Sequence, residues 1–395
     1  MRICMLAYSF YETDSRMLQY ATALAQRGDD VDVIALRREG QLDHEVLNGV
    51  NLFRIQSRTV NEYKARDHLV RILMFLFRAA VFLTRKHWHL PYQLIHVHSV
   101  PDFLVFAALV PKLSGVPVIL DIHDILPEFY ASKFKPSPDS VTFNILLFTE
   151  RLSAAFSNHV IIANHLWHQR LISRSVPATK CTPICNYPDP RVFIPRPRRR
   201  TNGKFLITYP GTLNWHQGLD IAISAFAKVG DQIPDAEFHI YGEGPVKTSL
   251  IEQASKLGLN GRVVFHDILP ITEIAQVMAD SDLAVVPKRA SSPFGNEAAS
   301  TKIAEFMSVG VPVIESRTKI GMFYENESRV RFFKSEDVED LGIAILELYR
   351  NPQLRQQLAT NAAQHVRTDN WDVKKNEYLR LVDALVAVDG PSLQR

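Results

Sequence analysis

A chain of 395 residues exceeds one ordinary domain and predicts two. Its 46% hydrophobic and 22% charged residues are those of a globular protein able to fill two cores, and a formal net charge of +3 does not indicate a general nucleic-acid binder. Three cysteines, Cys4, Cys181 and Cys185, make no disulfide framework and lack the partners of a zinc site, so a reducing compartment is expected.

The N-terminal apolar run turns polar too soon for a secretory signal. No stretch of about 20 uncharged apolar residues is present to span a bilayer. The expected location is the cytoplasm, with the inner face of the membrane as a resting place. Arg2 to Tyr8 reads as a buried strand. Arg16 to Arg27 follows as a helix, with Met17, Ala21, Leu24 and Ala25 inward and Gly28 closing it, and Val31 to Leu36 is the next strand. Strand and helix alternate again through QLIHVHS, PVILDIHD and HVIIANH. Such alternation implies a doubly wound parallel sheet, which binds ligands beyond the carboxyl ends of its strands. There the sequence places Ser9 to Arg16, His98, and His123 with Asp124.

Residues 66–86 mix a dense apolar stripe with Arg66, Arg71, Arg78, Arg85 and Lys86. The arginines exclude a spanning helix and leave two readings, a core helix or a basic amphipathic segment in a membrane interface. Residues 186–204 hold four prolines and read as a linker, with Arg196, Arg198, Arg199 and Arg200 a solvated basic run. From Phe205 the alternation restarts. FLITYPGTL, AEFHIYGEG, RVVFHD, DLAVVP and VPVI are strands, with helices near 219–228, 246–257, 271–279 and 301–309. After Val338 the chain is helical. The expected organisation is α/β, with Rossmann-like domains over residues 1–185 and 205–370 and a helix over 371–395 that crosses back to the first.

The stretch Leu283 to Ile314 concentrates the candidate chemistry. A strand leads through a polar loop into a helix that begins near Thr301, an expected N-cap, and stops at Gly310-Val311-Pro312. A helix start behind a strand offers unpaired N–H groups to an anion. Glu297 and Glu305, with seven residues between them, would repel a phosphate and so more plausibly hold hydroxyls at either end of the ligand. PGTLNWHQG and Tyr241-Gly242-Glu243-Gly244-Pro245 add two glycine turns after strands. Asp280-Ser281-Asp282 precedes a strand and reads as an element cap, not a metal site.

The spacing of Glu297 and Glu305, followed by EFMSVGVPVI, resembles the signature of family-4 retaining glycosyltransferases. The Gly242–Pro245 turn looks like that family's Gly-x-Gly-Pro, and His123-Asp124 with Pro127-Glu128 is similar to a branch that builds bacterial surface polysaccharides. The resemblance covers nearly the whole chain. It implies the GT-B fold, two Rossmann-like domains facing across a cleft. It also implies transfer of a sugar, with retention and without metal or cofactor, from a UDP- or GDP-linked donor to a glycan or polyprenyl-linked acceptor. Glu297 and His123, with Asp124, would flank the sugar and Glu305 the ribose. Gly211, Thr212, Gln217, Gly242 and Gly244 would face the donor. The family usually has Arg and Lys where this chain has Thr212 and Gln217, so Lys288, Arg289 or Lys302 is expected to replace them, Lys302 foremost. On the acceptor side stand Arg16, for a phosphate or as a plain first-turn arginine, His98, lining the cleft or only packing, and Glu128. Two alternatives keep the fold, a nucleotide-sugar 2-epimerase and a non-catalytic partner subunit. A dehydrogenase is disfavoured, because no Gly-x-Gly-x-x-Gly follows the first strand.

Overall fold

The alternation of strand and helix becomes two parallel sheets in a computed structural model, which describes residues 1–58, 65–134, 140–200 and 203–389. The chain divides into two compact units, Met1–Asn186 with the residues from Lys374 on, and Tyr187–Val373.

The first unit's sheet has eight strands: β1 Arg2–Ala7, β2 Asp30–Arg37, β3 His44–Leu47, β4 Val50–Ser57, β5 Leu94–His98, β6 Val118–Ile122, β7 His159–Ile162 and β8 Cys181–Pro183. Their order is β3-β4-β2-β1-β5-β6-β7-β8, and every pair is parallel except β3 with β4. β5, β6 and β7 are buried at every residue, as strands covered on both faces must be. The sequence pattern does not show β3 or β4. Their hairpin turns on Asn48-Gly49, both at positive φ (52° and 81°), a pair that suits the twist of a two-residue turn.

The α-helices of this part, among the described residues, are α1 Ser15–Arg27, α2 Ala65–His89, α3 Leu109–Leu113, α4 Leu126–Phe134, α5 Val141–Phe156 and α6 His165–Arg174. Asp14 caps α1 by accepting from the Met17 N–H, and Gly28 ends it in the left-handed region. One face of α2 is core, with Ile72, Phe75, Ala79 and Leu83 buried. Its opposite face leaves Leu73 and Phe77 exposed, so the segment is a core helix on one side and an amphipathic surface on the other. The side chain of Arg66 lies outside the described residues.

The second unit's sheet has β9 Phe205–Pro210, β10 Ala236–Tyr241, β11 Val263–His266, β12 Leu283–Val286, β13 Val313–Ser316 and β14 Arg331–Phe333. All are parallel, in the order β11-β10-β9-β12-β13-β14. The order reverses between β9 and β12, where such sheets take ligands. Its helices are α7 Leu219–Val229, α8 Lys247–Lys256, α9 Ile271–Ala279, α10 Pro293–Glu297, α11 Thr301–Val309, α12 Lys319–Tyr324, α13 Val338–Arg350 and α14 Pro352–Thr368. Three local expectations change. Ser300, not Thr301, is the N-cap of α11, and Glu297 ends a short helix instead of lying in a loop. The linker arginines are not simply solvated, since Arg198 and Arg200 pair with Asp282, which also accepts the Leu206 N–H. Residues 201–202 of the expected linker and 390–395 of the last helix lie outside the described residues.

That last helix, α15 Trp371–Asp389, ends in the first unit. Tyr378 is fully buried there, stacked on Tyr20 at 4.2 Å, with its hydroxyl 2.9 Å from His96 Nδ1.

Candidate functional site

In the second unit, the chain leaves β9 through Gly211 and meets the turn that leaves β10. The Gly211 N–H donates to the Tyr241 carbonyl at 2.8 Å, and the Leu213 N–H to Glu243 at 2.9 Å. A Cβ on Gly242 would stand 2.0 Å from the Gly211 carbonyl oxygen, at a φ of +145°. Only glycine lets the two turns close on each other.

Lys302, in the first turn of α11, reaches across this junction. Its Cε lies 2.2 Å, and its Nζ 2.9 Å, from the place a Gly211 Cβ would take. The ammonium stands 5.3 Å from the Tyr209 ring centre and makes no hydrogen bond or ion pair among the described residues. Burial lowers its pKa, opposed by the charge of Glu305. Burial raises the Glu305 pKa in turn, offset in part by Lys302 and the Thr301 hydroxyl. Both side chains border a cavity of about 400 Å³. Gly211, Thr212, Gly242, Lys302, Glu305 and Glu243, the last paired with Lys247, line its polar side; Phe193, Ile268, Leu269, Ile271, Ile274 and Met278 line the apolar one. Such a cavity can hold a flat apolar-faced group, hydroxyls on a carboxylate, and an anion on an ammonium and adjacent backbone.

Five of the expected donor residues thus meet in one cavity, and the others stand apart from its walls. Lys288 is buried and donates to the Ala298 carbonyl. Arg289 lies over the Trp215 ring at 4.7 Å and pairs with Asp220 and Glu336. Gln217 is buried beside His216, 3.2 Å between their Nε2 atoms. Burial, with Lys288 and Lys302 nearby, drives His216 down to about 4, which keeps it neutral. Gly244 packs against the Leu213 carbonyl. Glu297 is buried, with Lys319 Nζ 3.4 Å from its Oε1. Lys319 carries no motif in the sequence, and it stands at the start of α12, another element the sequence pattern does not show.

In the first unit, the residues at the strand ends converge on Asp121, the penultimate residue of β6. It is fully buried and accepts from Arg16 Nε and Nη2, both at 2.7 Å. Arg16 Nη1 donates to the Ile184 carbonyl and to Asn186 Oδ1, each at 2.8 Å. His98 Nδ1 and His123 Nε2 lie 3.3 and 3.4 Å from Asp121 Oδ2, and 3.1 Å from each other. Burial opposes a charge on Asp121, yet Arg16 and His123 hold its carboxyl well below the usual range. Burial likewise opposes a proton on His123, and Asp121 with Asp14 more than offsets it, so its pKa is raised. His98 is lowered and His96 falls to about 3, burial being the first cause of each.

This geometry corrects two expectations. Arg16 is not free for an acceptor phosphate, because a buried guanidinium must be paired and Asp121 pairs it. Glu128 is buried and bound to Arg174 at 3.0 Å and Arg170 at 3.5 Å, with Glu150 sharing Arg174. His98 packs within the network, while His123 and Asp124 are half-buried at the end of β6. Asp121 was missed, although a carboxylate inside the apolar run VILDI is itself a signal: a charge there needs a partner. His96, His98 and Asp121 also have the side chains of a cation site, but the guanidinium of Arg16 already holds that carboxylate.

Residues 13–187 match the Glycosyl transferase 4-like domain family, and residues 192–365 match Glycosyl transferases group 1. A sulfoquinovosyl transferase of Arabidopsis thaliana is 25% identical over 302 residues, covering 71% of this chain and 54% of the relative. One component of the human phosphatidylinositol N-acetylglucosaminyltransferase is 22% identical over 322 residues, covering 80% and 62%. The chain thus spans less than two thirds of either relative. Anabaena HepE, solved with UDP and glucose, has a TM-score of 0.72 at 18% identity, over 98% of this chain and 100% of its own. Likeness at that identity speaks to fold: two parallel-sheet Rossmann-like domains of the GT-B type.

Proposed function

We propose that this chain, whose two units match glycosyl transferase domain families, moves a sugar from a nucleotide-linked donor to a glycan or lipid-linked glycan acceptor. The observation that carries the proposal is the unpaired ammonium of Lys302 lying across Gly211, in the same cavity as Glu305. A donor diphosphate carries about two negative charges that a closed site must balance. Thr212 and Gln217 supply none, and Arg289 and Lys288 are engaged elsewhere. Lys302 supplies one, and the start of α11 adds about half a charge more. Glu305 takes the ribose hydroxyls, and the apolar wall takes the base. Bound UDP and glucose in HepE support a nucleotide-sugar donor. The human relative's name supports a lipid acceptor.

In this reading Glu297, Asp124 and His123 serve the sugar. The His123 ring, held by Asp121, donates to a sugar hydroxyl and orients it. The leaving diphosphate accepts the acceptor's proton as the acceptor attacks from the same face, which retains configuration. The protein positions the partners and stabilises charge. Thr212 and Gln217, which lack the family's usual charges, favour a non-catalytic partner, and the ammonium of Lys302 in the same cavity weighs against it. Both matched families are named for glycosyl transfer, which weighs against interconversion of donors. Calorimetric titration with UDP and GDP, then UDP release on adding acceptor, tests the reading. Absence of any nucleotide binding would overturn it.

A further inference from the structure

Helix α11 borders two cavities. Thr301 and Lys302 open it in the nucleotide cavity, and Val309 closes it in another, about 12 Å along the axis at about 1.5 Å per residue. Helix α9 does the same, with Ile271 and Ile274 in the first cavity and Ala279 in the second. The second cavity measures about 430 Å³, its open surface is mostly polar, and its walls come from the second unit alone. None of the residues assigned to the donor borders it.

Its charges do not balance. Arg196 and Arg198 come from the linker and Arg355 from the first turn of α14, and Asp282 is the single acid among the described residues around them. Asp282 is already committed, since it pairs with Arg198 and Arg200 and accepts the Leu206 N–H at 2.8 Å. Arg196 and Arg355 make no ion pair among the described residues. They donate to neutral carbonyls instead, Arg196 to Val192 and Thr272, Arg355 to Leu348 and Tyr349. Arg355 also lies over the Phe205 ring at 5.0 Å. Burial lowers its pKa, Asp282 opposes that, and Arg198 adds to it. Helix ends change little, because the C-terminus of α11 brings about half a negative charge and the N-terminus of α14 about half a positive one. Three guanidinium groups against one carboxylate leave two positive charges over.

Two unbalanced guanidinium groups suit a phosphate dianion, whose oxygens they bind through paired N–H groups. A carboxylate would neutralise one charge and leave the other. The rest of the ligand must be polar, because an apolar body would cover polar walls and leave them without partners. Small-molecule sites run from about 300 to 1,000 Å³, so the cavity has room for more than the phosphate itself. We propose that this cavity is an effector site for a small sugar phosphate, its phosphate held by Arg196 and Arg355 and its hydroxyls toward Gln356, and that its occupancy is felt in the nucleotide cavity through α9 and α11. Such coupling is reciprocal: whatever factor the effector applies to UDP affinity, UDP applies to the effector's. The effector role rests on the nucleotide reading of the first cavity, and the anion site does not.

The test is calorimetric titration of the full chain with glucose 6-phosphate, and with glucose and inorganic phosphate as separate probes. Glucose 6-phosphate should bind, inorganic phosphate more weakly, and glucose not at all. Arg196→Gln and Arg355→Gln should each weaken glucose 6-phosphate about tenfold or more, and Arg355→Lys should recover part of that loss. Should Arg355→Gln fail to fold by circular dichroism, Arg196→Gln decides alone. Lys302→Met should keep the affinity for glucose 6-phosphate, since its ammonium stands in the other cavity. Saturating glucose 6-phosphate should shift the affinity for UDP by at least about fivefold in wild type, and should not shift it in Arg196→Gln at the same concentration. Absence of binding by glucose 6-phosphate, or unchanged binding in Arg196→Gln, would overturn the proposal. So would binding that is lost in Lys302→Met, because the anion would then sit on the donor's ammonium. Binding that leaves the affinity for UDP unchanged would overturn the effector role. If wild type bound no UDP yet took glucose 6-phosphate through Arg196, the nucleotide reading and the effector role would fall together and the anion site would stand.

Discussion

Lys302 and Glu305 stand three positions apart on α11, and each perturbs the other's proton equilibrium. A charged hydrogen bond from Lys302 to a diphosphate contributes about 1.5–3 kcal/mol, so Lys302→Met should weaken UDP about 10- to 100-fold by calorimetry. Its melting temperature should hold or rise, because the lost ammonium makes no hydrogen bond among the described residues. Glu305 gives a pH signature. In the proposed donor site its carboxylate would accept from the ribose when ionised, and burial raises its pKa. UDP affinity should therefore fall as pH drops, beginning above the ordinary glutamate value of about 4.3. Glu305→Gln should bind UDP more weakly at neutral pH and lose this acid limb; an unchanged limb would assign it to another group. Asp121 predicts a stability effect in the first unit. Asp121→Asn leaves the buried guanidinium of Arg16 without its counter-charge, which should cost about 3–5 kcal/mol in urea unfolding. The sign of its linkage follows from its depressed pKa. The stability it contributes is present above the ordinary aspartate value and is lost only as pH falls through the much lower folded value. Asp121→Asn should accordingly show a flatter acid limb than wild type.

Between elements, the decisive contact is the backbone approach of the turns after β9 and β10. Gly242→Ala would press a methyl onto the Gly211 carbonyl at 2.0 Å in a backbone region that other residues avoid. The prediction is loss of UDP binding by more than tenfold with a modest fall in melting temperature, since the strain falls on two turns at the sheet's rim. Unaltered UDP affinity would mean that the turns do not shape the cavity. Strand and helix periods were legible here because parallel strands are uniformly apolar and their crossover helices amphipathic, so that α11 was placed at its observed bounds, Thr301–Val309. β3, β8 and β14 were not, being strands of three or four residues, nor was β4, whose eight residues alternate buried and half-buried with no continuous apolar run to mark them. Side-chain partners were the hardest to read. The sequence shows that Arg16 precedes an apolar helical pattern, but the carboxylate that captures it is 105 positions away. Lys302 could be ranked above Lys288 and Arg289 from its distance to Glu305, whereas the bonds that engage the other two exist only in the folded chain.

At the scale of the whole molecule, the chain's last described helix is a structural part of the first unit although the second unit intervenes in sequence. Tyr378 joins the two ends of that unit. Its ring stacks on Tyr20 of α1 and its hydroxyl meets His96 of β5, one residue pair removed from His98 and Asp121. Val382 is fully buried one turn further on, and Asp383 pairs with Arg27 at 2.7 Å. Tyr378→Ala removes a large buried ring and leaves His96 Nδ1 unpaired, so it should cost about 3–5 kcal/mol. Tyr378→Phe keeps the ring and loses the hydrogen bond alone, at about 1–2 kcal/mol. Because the helix enters the first unit from the far end of the chain, both losses should appear in unfolding of the first unit, followed through hydrogen exchange of β1, β5 and β6. Exchange in β9, β10 and β12 should be unchanged, and so should the affinity for UDP, because the cavity proposed for it is lined by residues of the second unit. Equal loosening of β9, β10 and β12 would mean that the two units unfold as one cooperative body, and the helix would then tie the whole chain together instead of completing its first half.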